Sequence, residues 1–138
     1  MIKQLLNNWL NPPPFPNAPF ILDKYGEKYW LDWNDFHCLF VSYRRQLVGR
    51  VNLSFRENGE IILADIIIFD NYSRFRSLRN RGLGKAMLRE AIRHAKEHKG
   101  KFIWGWLEPD KHTTKEYLAN WYERQGFKVN GENIYLGL

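Results

Sequence analysis

The sequence predicts a single α/β (α+β) domain over residues 1–138, built on a mixed and mostly antiparallel central sheet with flanking helices. Three observations lead there. Between Phe36 and Phe69, strand-like apolar runs are separated by hairpin signals. An amphipathic helical pattern follows, and the strand after it must be parallel to its neighbour because a helix makes the connection. A second capped helix and a terminal hairpin then close the chain. With 138 residues, 44% hydrophobic and 16% aromatic, the chain can bury one core without staples, and its composition is not that of a disordered segment.

Each element has a local reason. Ile2, Leu5, Leu6, Trp9 and Leu10 recur at helical spacing, so the first ten residues read as a short amphipathic helix. Asn11 to Pro19 holds five prolines and must be extended, an arm lashing that helix to the body and completing a 1–19 extension. Phe36–Tyr43 is a strand, Arg44-Arg45-Gln46 turns it, and Leu47–Phe55 returns with Leu47, Val51, Leu53 and Phe55 expected on one face. Glu57-Asn58-Gly59 is a hairpin turn into Ile61–Phe69, apolar on both faces except for Asp65 and therefore expected at the centre of the sheet. Gly84–His98 reads as a helix with Met87, Leu88, Ala91, Ile92 and Ala95 inward and Gly100 as its stop. Lys101–Glu108 is the next strand. Thr113-Thr114-Lys115-Glu116 forms a capping box for a helix presenting Tyr117, Leu118, Trp121 and Tyr122, with Gly126 at its end. Phe127–Asn130 and Ile134–Leu138 pair around Asn130-Gly131.

Composition narrows the function classes. The lone Cys38 excludes an intramolecular disulfide and, within Phe36–Val41, reads as a buried structural thiol. The longest apolar run, Ile61 to Phe69, is too short to span a bilayer, and the N-terminus carries no secretory pattern, so a cytoplasmic location without membrane attachment is expected. The net charge of +6 raises nucleic acid as a partner. Much of the excess, however, gathers at Arg74, Arg76, Arg79, Arg81 and Lys85, and no zinc-finger spacing, RNA-recognition motif or basic recognition helix accompanies it. His37, His94, His98 and His112 show no metal spacing or triad partners, so no metal site is expected.

The run Arg79-Asn80-Arg81-Gly82-Leu83-Gly84-Lys85 lies between the Ile-rich strand and the helix. A glycine turn opening a helix aims backbone N–H groups in one direction at the positive end of the helix dipole, which is a seat for a pyrophosphate. Gly82 and Gly84 keep side chains out of the way; Arg79, Arg81 and Lys85 supply charge. A basic turn whose glycines merely redirect the chain is the plainer alternative. A Walker A loop is excluded because Ala86 follows Lys85, and a Rossmann fingerprint because Met87 occupies its third small position.

This run fits Arg/Gln-x-x-Gly-x-Gly/Ala, and Tyr122-Glu123-Arg124-Gln125-Gly126-Phe127 fits a Tyr-Glu-x-x-Gly-Phe run at the end of the last helix. With both motifs in order, residues 36–138 resemble the GNAT superfamily of acyl-CoA-dependent N-acyltransferases. The resemblance implies a sheet splayed between Ile61–Phe69 and Lys101–Glu108, with acetyl-CoA as co-substrate entering the gap. It further implies that the backbone of Ile67, Ile68 and Phe69 bonds the pantetheine amides and that Arg79 to Lys85, including Asn80 and Leu83, holds the pyrophosphate. Tyr122 matches the family's general acid.

The reaction so implied is attack of a primary amine on a thioester. An amine with a pKa of about 10.4 must lose a proton first, and a phenol can protonate the departing thiolate. By the resemblance Asp65, four residues before the strand end, occupies a position where family members often carry the base, and Glu108 at the end of the facing strand is the alternative; a structural carboxylate is as good a reading of Asp65 and a better one of Glu108. Trp104, Trp106 and Trp121 read as core, with an aromatic acceptor pocket as the other possibility. Lys115 replaces the family's usual Asn seven positions before the tyrosine, and the 70–78 loop is longer than usual. The acceptor, a small molecule or a peptide amine, is left open, as is the choice between monomer and homodimer. A non-catalytic acyl-CoA-binding or nucleic-acid-binding module on the same fold is the alternative function.

Overall fold

The computed structural model describes residues 2, 6, 9–69, 78, 80–111 and 113–138. Eight strands form one sheet: β1 (Phe20–Leu22), β2 (Lys28–Trp33), β3 (Cys38–Tyr43), β4 (Gln46–Phe55), β5 (Glu60–Ile68), β6 (Phe102–Trp106), β7 (Lys128–Asn130) and β8 (Asn133–Gly137). Helix α1 (Leu83–Glu97) joins β5 to β6, and α2 (Lys115–Arg124) joins β6 to β7. The strand order is β1-β2-β3-β4-β5-β6-β8-β7. Every neighbouring pair is antiparallel except β5 and β6, which run parallel, as a helical crossover demands. The mixed, mostly antiparallel sheet expected from the sequence is present.

Two strands were not anticipated. β1 and β2 extend the sheet beyond Phe36, joined by a turn at Asp23–Glu27 whose Gly26 has φ 82°. The proline arm lies along them: Leu31 N–H donates to Pro19 O at 2.9 Å, and the Trp30 indole donates to Asn11 Oδ1 at 3.1 Å. Ile2, Leu6, Trp9 and Leu10 are helical, as the spacing predicts, and all four are exposed.

Two β-bulges reset which side chains face the core. Val41 pairs with Gly49 but Ser42 with Leu47, leaving Val48 as the extra residue. Val48 is therefore buried and Leu47 exposed, the reverse of what simple alternation gives. In β5, Asn52 pairs with Asp65 and Leu53 with Leu63, so Ala64 is extra. Ile61 and Leu63 face the core before it; Ile66 and Ile68 pack on the core after it. Asp65 and Ile67 are turned to the other face.

Helix α1 covers the core face, touching β1, β4 and β5, with Met87, Leu88, Ala91 and Ala95 fully buried. At this burial each large apolar side chain contributes about 1.5–3 kcal/mol relative to exposure. Helix α2 packs on β7 and begins one residue later than the capping box suggests. Thr114 is the cap, accepting from Tyr117 N–H, while Thr113 bonds Asp110. Of its four predicted inward residues only Tyr122 is fully buried; Leu118 and Trp121 are half-buried and Tyr117 is exposed. Among the described residues, no helix is long and apolar enough to cross a membrane.

Candidate active site

The parallel pairing of β5 and β6 runs from Glu60↔Phe102 to Leu63↔Gly105 and stops there. Beyond it Leu107 N–H turns to Glu132 O at 2.7 Å, so β6 leaves with β8, while β5 continues to Ile68 paired only with β4. The two strands part, as the resemblance implies. The Ala64 bulge lies where the parting starts. Phe69 N–H donates to Val48 O at 2.9 Å and so faces β4. By the alternation of an antiparallel ladder, the polar backbone groups of Ile68 and Ile66 face the opening instead. Of the three residues expected to offer backbone there, Ile68 is so aimed; Ile67 and Phe69 face β4.

The glycine turn opens beside this gap. Gly82 caps α1 in the left-handed region, with φ 77° and ψ 10°, a conformation that costs an L side chain roughly 1–2 kcal/mol. Asn80 is also left-handed, at φ 60°. The first bond of the helix is Ala86 N–H to Gly82 O, so the amides of Leu83, Gly84 and Lys85 have no carbonyl within the helix to meet. A Cβ at Gly84 would lie 3.6 Å from Trp121 Cζ2 and 3.8 Å from Ile68 Cδ1. The start of α1, the end of β5 and helix α2 therefore converge on Gly84.

Arg81 has a different employment from the one its charge suggests. Its Nε donates to Asp23 Oδ2 at 2.8 Å, and its guanidinium lies over the Tyr25 ring at 4.6 Å. Asp23 is a buried hub: Oδ2 also accepts from the Tyr29 hydroxyl at 2.9 Å, and Oδ1 from the amides of Tyr25 and Glu27. Burial draws the Asp23 carboxyl upward, but the hydrogen bonds from Tyr29, the two amides and Arg81 together hold it below the usual carboxylate range. The same hub raises the Tyr29 phenol, through burial and the bond to Asp23. Lys24 N–H donates to Arg81 O at 2.9 Å, fastening the turn through its backbone as well. Arg81 thus anchors the turn to the β1–β2 hairpin. The cleft beside it, about 470 Å³, is lined by the basic Lys24, Lys85, Arg89 and Arg93 together with Asp23 and Glu90. Arg79, together with the loop arginines Arg74 and Arg76, lies outside the described residues.

The sequence offered a signal for this hub. Asp23-Lys24-Tyr25-Gly26 is turn chemistry between two short apolar runs, which marks a hairpin. The Asp23–Arg81 pairing itself is not local.

The three candidate catalytic groups divide. Tyr122 is buried, its ring edge-on to Trp121 at 4.9 Å and to Phe127 at 5.4 Å. Burial, with the negative charge of Glu108 adding to it, pushes the Tyr122 phenol up to about 12. Glu108 is exposed, just past the end of β6 where the strands have parted. Asp65 sits on the sheet face turned from the core, its oxygens 3.4 and 3.5 Å from Arg50. Cys38, half-buried beside them, has its thiol raised by burial, as befits a structural cysteine. Trp104 and Trp106 stand edge-to-face at 4.7 Å on that outer sheet face, Trp106 exposed, so they are not core. Lys115 pairs with Glu132 at 2.9 Å on the surface.

The family model for the acetyltransferase (GNAT) family matches residues 3–127. Among solved structures, a GNAT family acetyltransferase from Elizabethkingia anophelis with acetyl-CoA bound has a TM-score of 0.60 at 13% identity, covering 73% of this chain and 75% of that one. The Bacillus subtilis acetyltransferase in complex with CoA gives a TM-score of 0.58 at 17% identity, covering 73% and 76%. An IAA acetyltransferase from Bacillus cereus gives 0.60 at 13%, covering 73% and 77%. At such identities the likeness is one of fold. No curated protein matches the sequence.

Proposed function

Because the chain belongs to the acetyltransferase (GNAT) family, we propose that it transfers the acetyl group of acetyl-CoA to a primary amine by direct attack. The observation that carries this reading is the convergence at Gly84 of the α1 N-terminus, the unpaired stretch of β5 and the helix bearing Tyr122. Acetyl-CoA would lay its pyrophosphate on the amides of Leu83, Gly84 and Lys85, with Lys85 and Lys24 balancing charge. Its pantetheine arm would take the place β6 vacates, bonding the backbone of Ile68 and Ile66 as a strand would. That position delivers the thioester into the parting of the sheet.

Tyr122 is the proton donor. Its raised pKa keeps the phenol protonated at neutral pH, ready to protonate the thiolate as the tetrahedral intermediate collapses. The amine must arrive neutral, and Glu108 is the better-placed acceptor of its proton. It stands at the mouth of the parting, close enough for its charge to act on Tyr122. Asp65 faces Arg50 and is better read as part of the outer sheet face.

Acetyl-CoA should raise the melting temperature of the isolated protein, and a screen of small amines and peptides should release free thiol with the true acceptor. A thermal shift without thiol release from any acceptor would leave a binding module. No shift at millimolar acetyl-CoA would refute the cofactor assignment itself.

Gly84 supplies a sharper check. In Gly84→Ala the new Cβ meets only ordinary van der Waals contacts, and the helix gains up to about 1 kcal/mol in propensity, so cofactor affinity should stay near wild type. In Gly84→Val the added methyl groups extend beyond that shell toward Ile68, Trp121 and the cofactor path. Acetyl-CoA binding by calorimetry should weaken by roughly tenfold or more, about 1.4 kcal/mol. Equal affinity in both variants would remove the pyrophosphate from this turn.

A further inference from the structure

At the far end of α1 the fold assembles something the sequence spacing conceals. His94 and His98 lie one turn apart at the C-terminal end of the helix, and His37, at φ 59° in the turn between β2 and β3, reaches the same place. One ring nitrogen from each falls within 4.8 Å of the other two. We propose that His37, His94 and His98 form a binding site for a first-row divalent transition metal, zinc foremost, which clips the β2–β3 turn to the end of α1.

The geometry is close to what such an ion requires. Tetrahedral zinc with bonds of about 2.0–2.1 Å to imidazole places its ligand nitrogens about 3.3 Å apart. His37 Nδ1 and His94 Nε2 are already 3.0 Å apart. A hydrogen bond between two neutral imidazoles at that distance puts a proton on one of these nitrogens, and both become free to ligate once that ring takes its other tautomer, with the proton on the nitrogen turned away. His98 Nδ1 lies 2.9 Å from the carbonyl of His94, and donation there leaves Nε2 with its lone pair free. The His98 ring is exposed, so rotation can close the remaining distance and a water can fill the fourth position.

The surroundings orient the rings. His94 stacks on Trp33 at 3.7 Å with the planes 7° apart, and His37 stacks on Phe55 at 3.9 Å. The Trp33 indole donates to Glu90 Oε2 at 2.7 Å, and Arg93 holds both oxygens of that buried carboxylate, from Nε at 2.7 Å and Nη2 at 2.9 Å. The charge of Glu90 is thus balanced by its own ion pair, and what the pair gives the site is a fixed Trp33 ring beneath His94. An all-imidazole set favours zinc, nickel, cobalt and copper and offers magnesium or calcium no oxygen ligands. The cluster is some 14 residues along α1 from Gly84, about 20 Å, so it is separate from the proposed cofactor seat.

The test uses the full chain without a histidine tag, stripped with a chelator and titrated at neutral pH with Zn²⁺ alone. One equivalent should bind by calorimetry and raise the melting temperature, Mg²⁺ should do neither, and Co²⁺ should give the visible absorption of a tetrahedral site. His98→Ala should weaken zinc binding by at least about tenfold, the loss that even an outer-sphere partner of a metal brings. His37→Gln combined with His98→Ala should abolish the equivalent. Absence of zinc binding overturns the proposal, as does undiminished binding in the folded double variant. Should that variant fail to fold, the exposed His98→Ala decides alone, and wild-type affinity there overturns it.

Discussion

Tyr122→Phe is expected to reduce turnover on the order of 100-fold while leaving acetyl-CoA affinity unchanged, since loss of a positioned general acid is felt in kcat. The ring that packs on Trp121 and Phe127 survives, so the variant should fold with near wild-type stability. Steady-state kinetics with acetyl-CoA titration separates the two effects. The pH profile adds a second reading. A phenol raised to about 12 remains a proton donor well above its ordinary value, so activity should climb with pH as the amine loses its proton. No descending limb should intervene below about pH 11 on Tyr122's account. A fall in rate beginning near neutrality, or full activity in Tyr122→Phe with chemistry limiting, assigns the proton to another donor.

Asp23→Ala should be the most destabilising single change near the turn. It removes the acceptor of the Arg81 and Tyr29 bonds and of two backbone amides, leaving a guanidinium only 15% exposed facing no counter-charge. Breaking a buried pair from one side costs about 3–5 kcal/mol, measurable by denaturant unfolding. Asp23→Asn, which keeps the shape and part of the bonding, should cost less. The pH dependence has a definite sign. The folded chain holds Asp23 ionised below the pH at which the unfolded chain protonates it, so its contribution is present above about pH 4 and is lost as acid passes the lowered folded value. Equal stability of Asp23→Ala and wild type would mean that the hub does not hold the turn.

Both results bear on what was legible beforehand. Strands β3 to β8 and the two described long helices follow from local signals: Glu57-Asn58-Gly59 turns, Gly100 stops and Thr114 caps, and each acts within a few residues. The parallel pair follows from the connection length. The hidden features are those set across the sheet. The bulges at Val48 and Ala64 put Val48 into the core and let Ile66 and Ile68 pack on it, and no residue near either announces them. β1 and β2 were obscured by the prolines before them. The glycines of the turn were plain, whereas the employment of Arg81 depended on Asp23, 58 positions earlier. The histidines illustrate both halves. His94 and His98 at i and i+4 could be read as one helix face, but His37 joins them only through the fold.

The anchorage of the turn reaches further than stability. Arg81 and Gly82 are held by a hairpin whose outer member, β1, has three residues and only one neighbour in the sheet. Short edge strands open locally at far smaller free energies than central ones. The turn thus shares its anchorage with an edge strand, so local opening of Phe20–Leu22 would slacken Asp23 and its grip on Arg81. A ligand seated in the cleft beside the turn would in exchange quiet that edge, so occupancy at one helix terminus would be registered in the breathing of the strand whose Ile21 and Leu22 line the cleft.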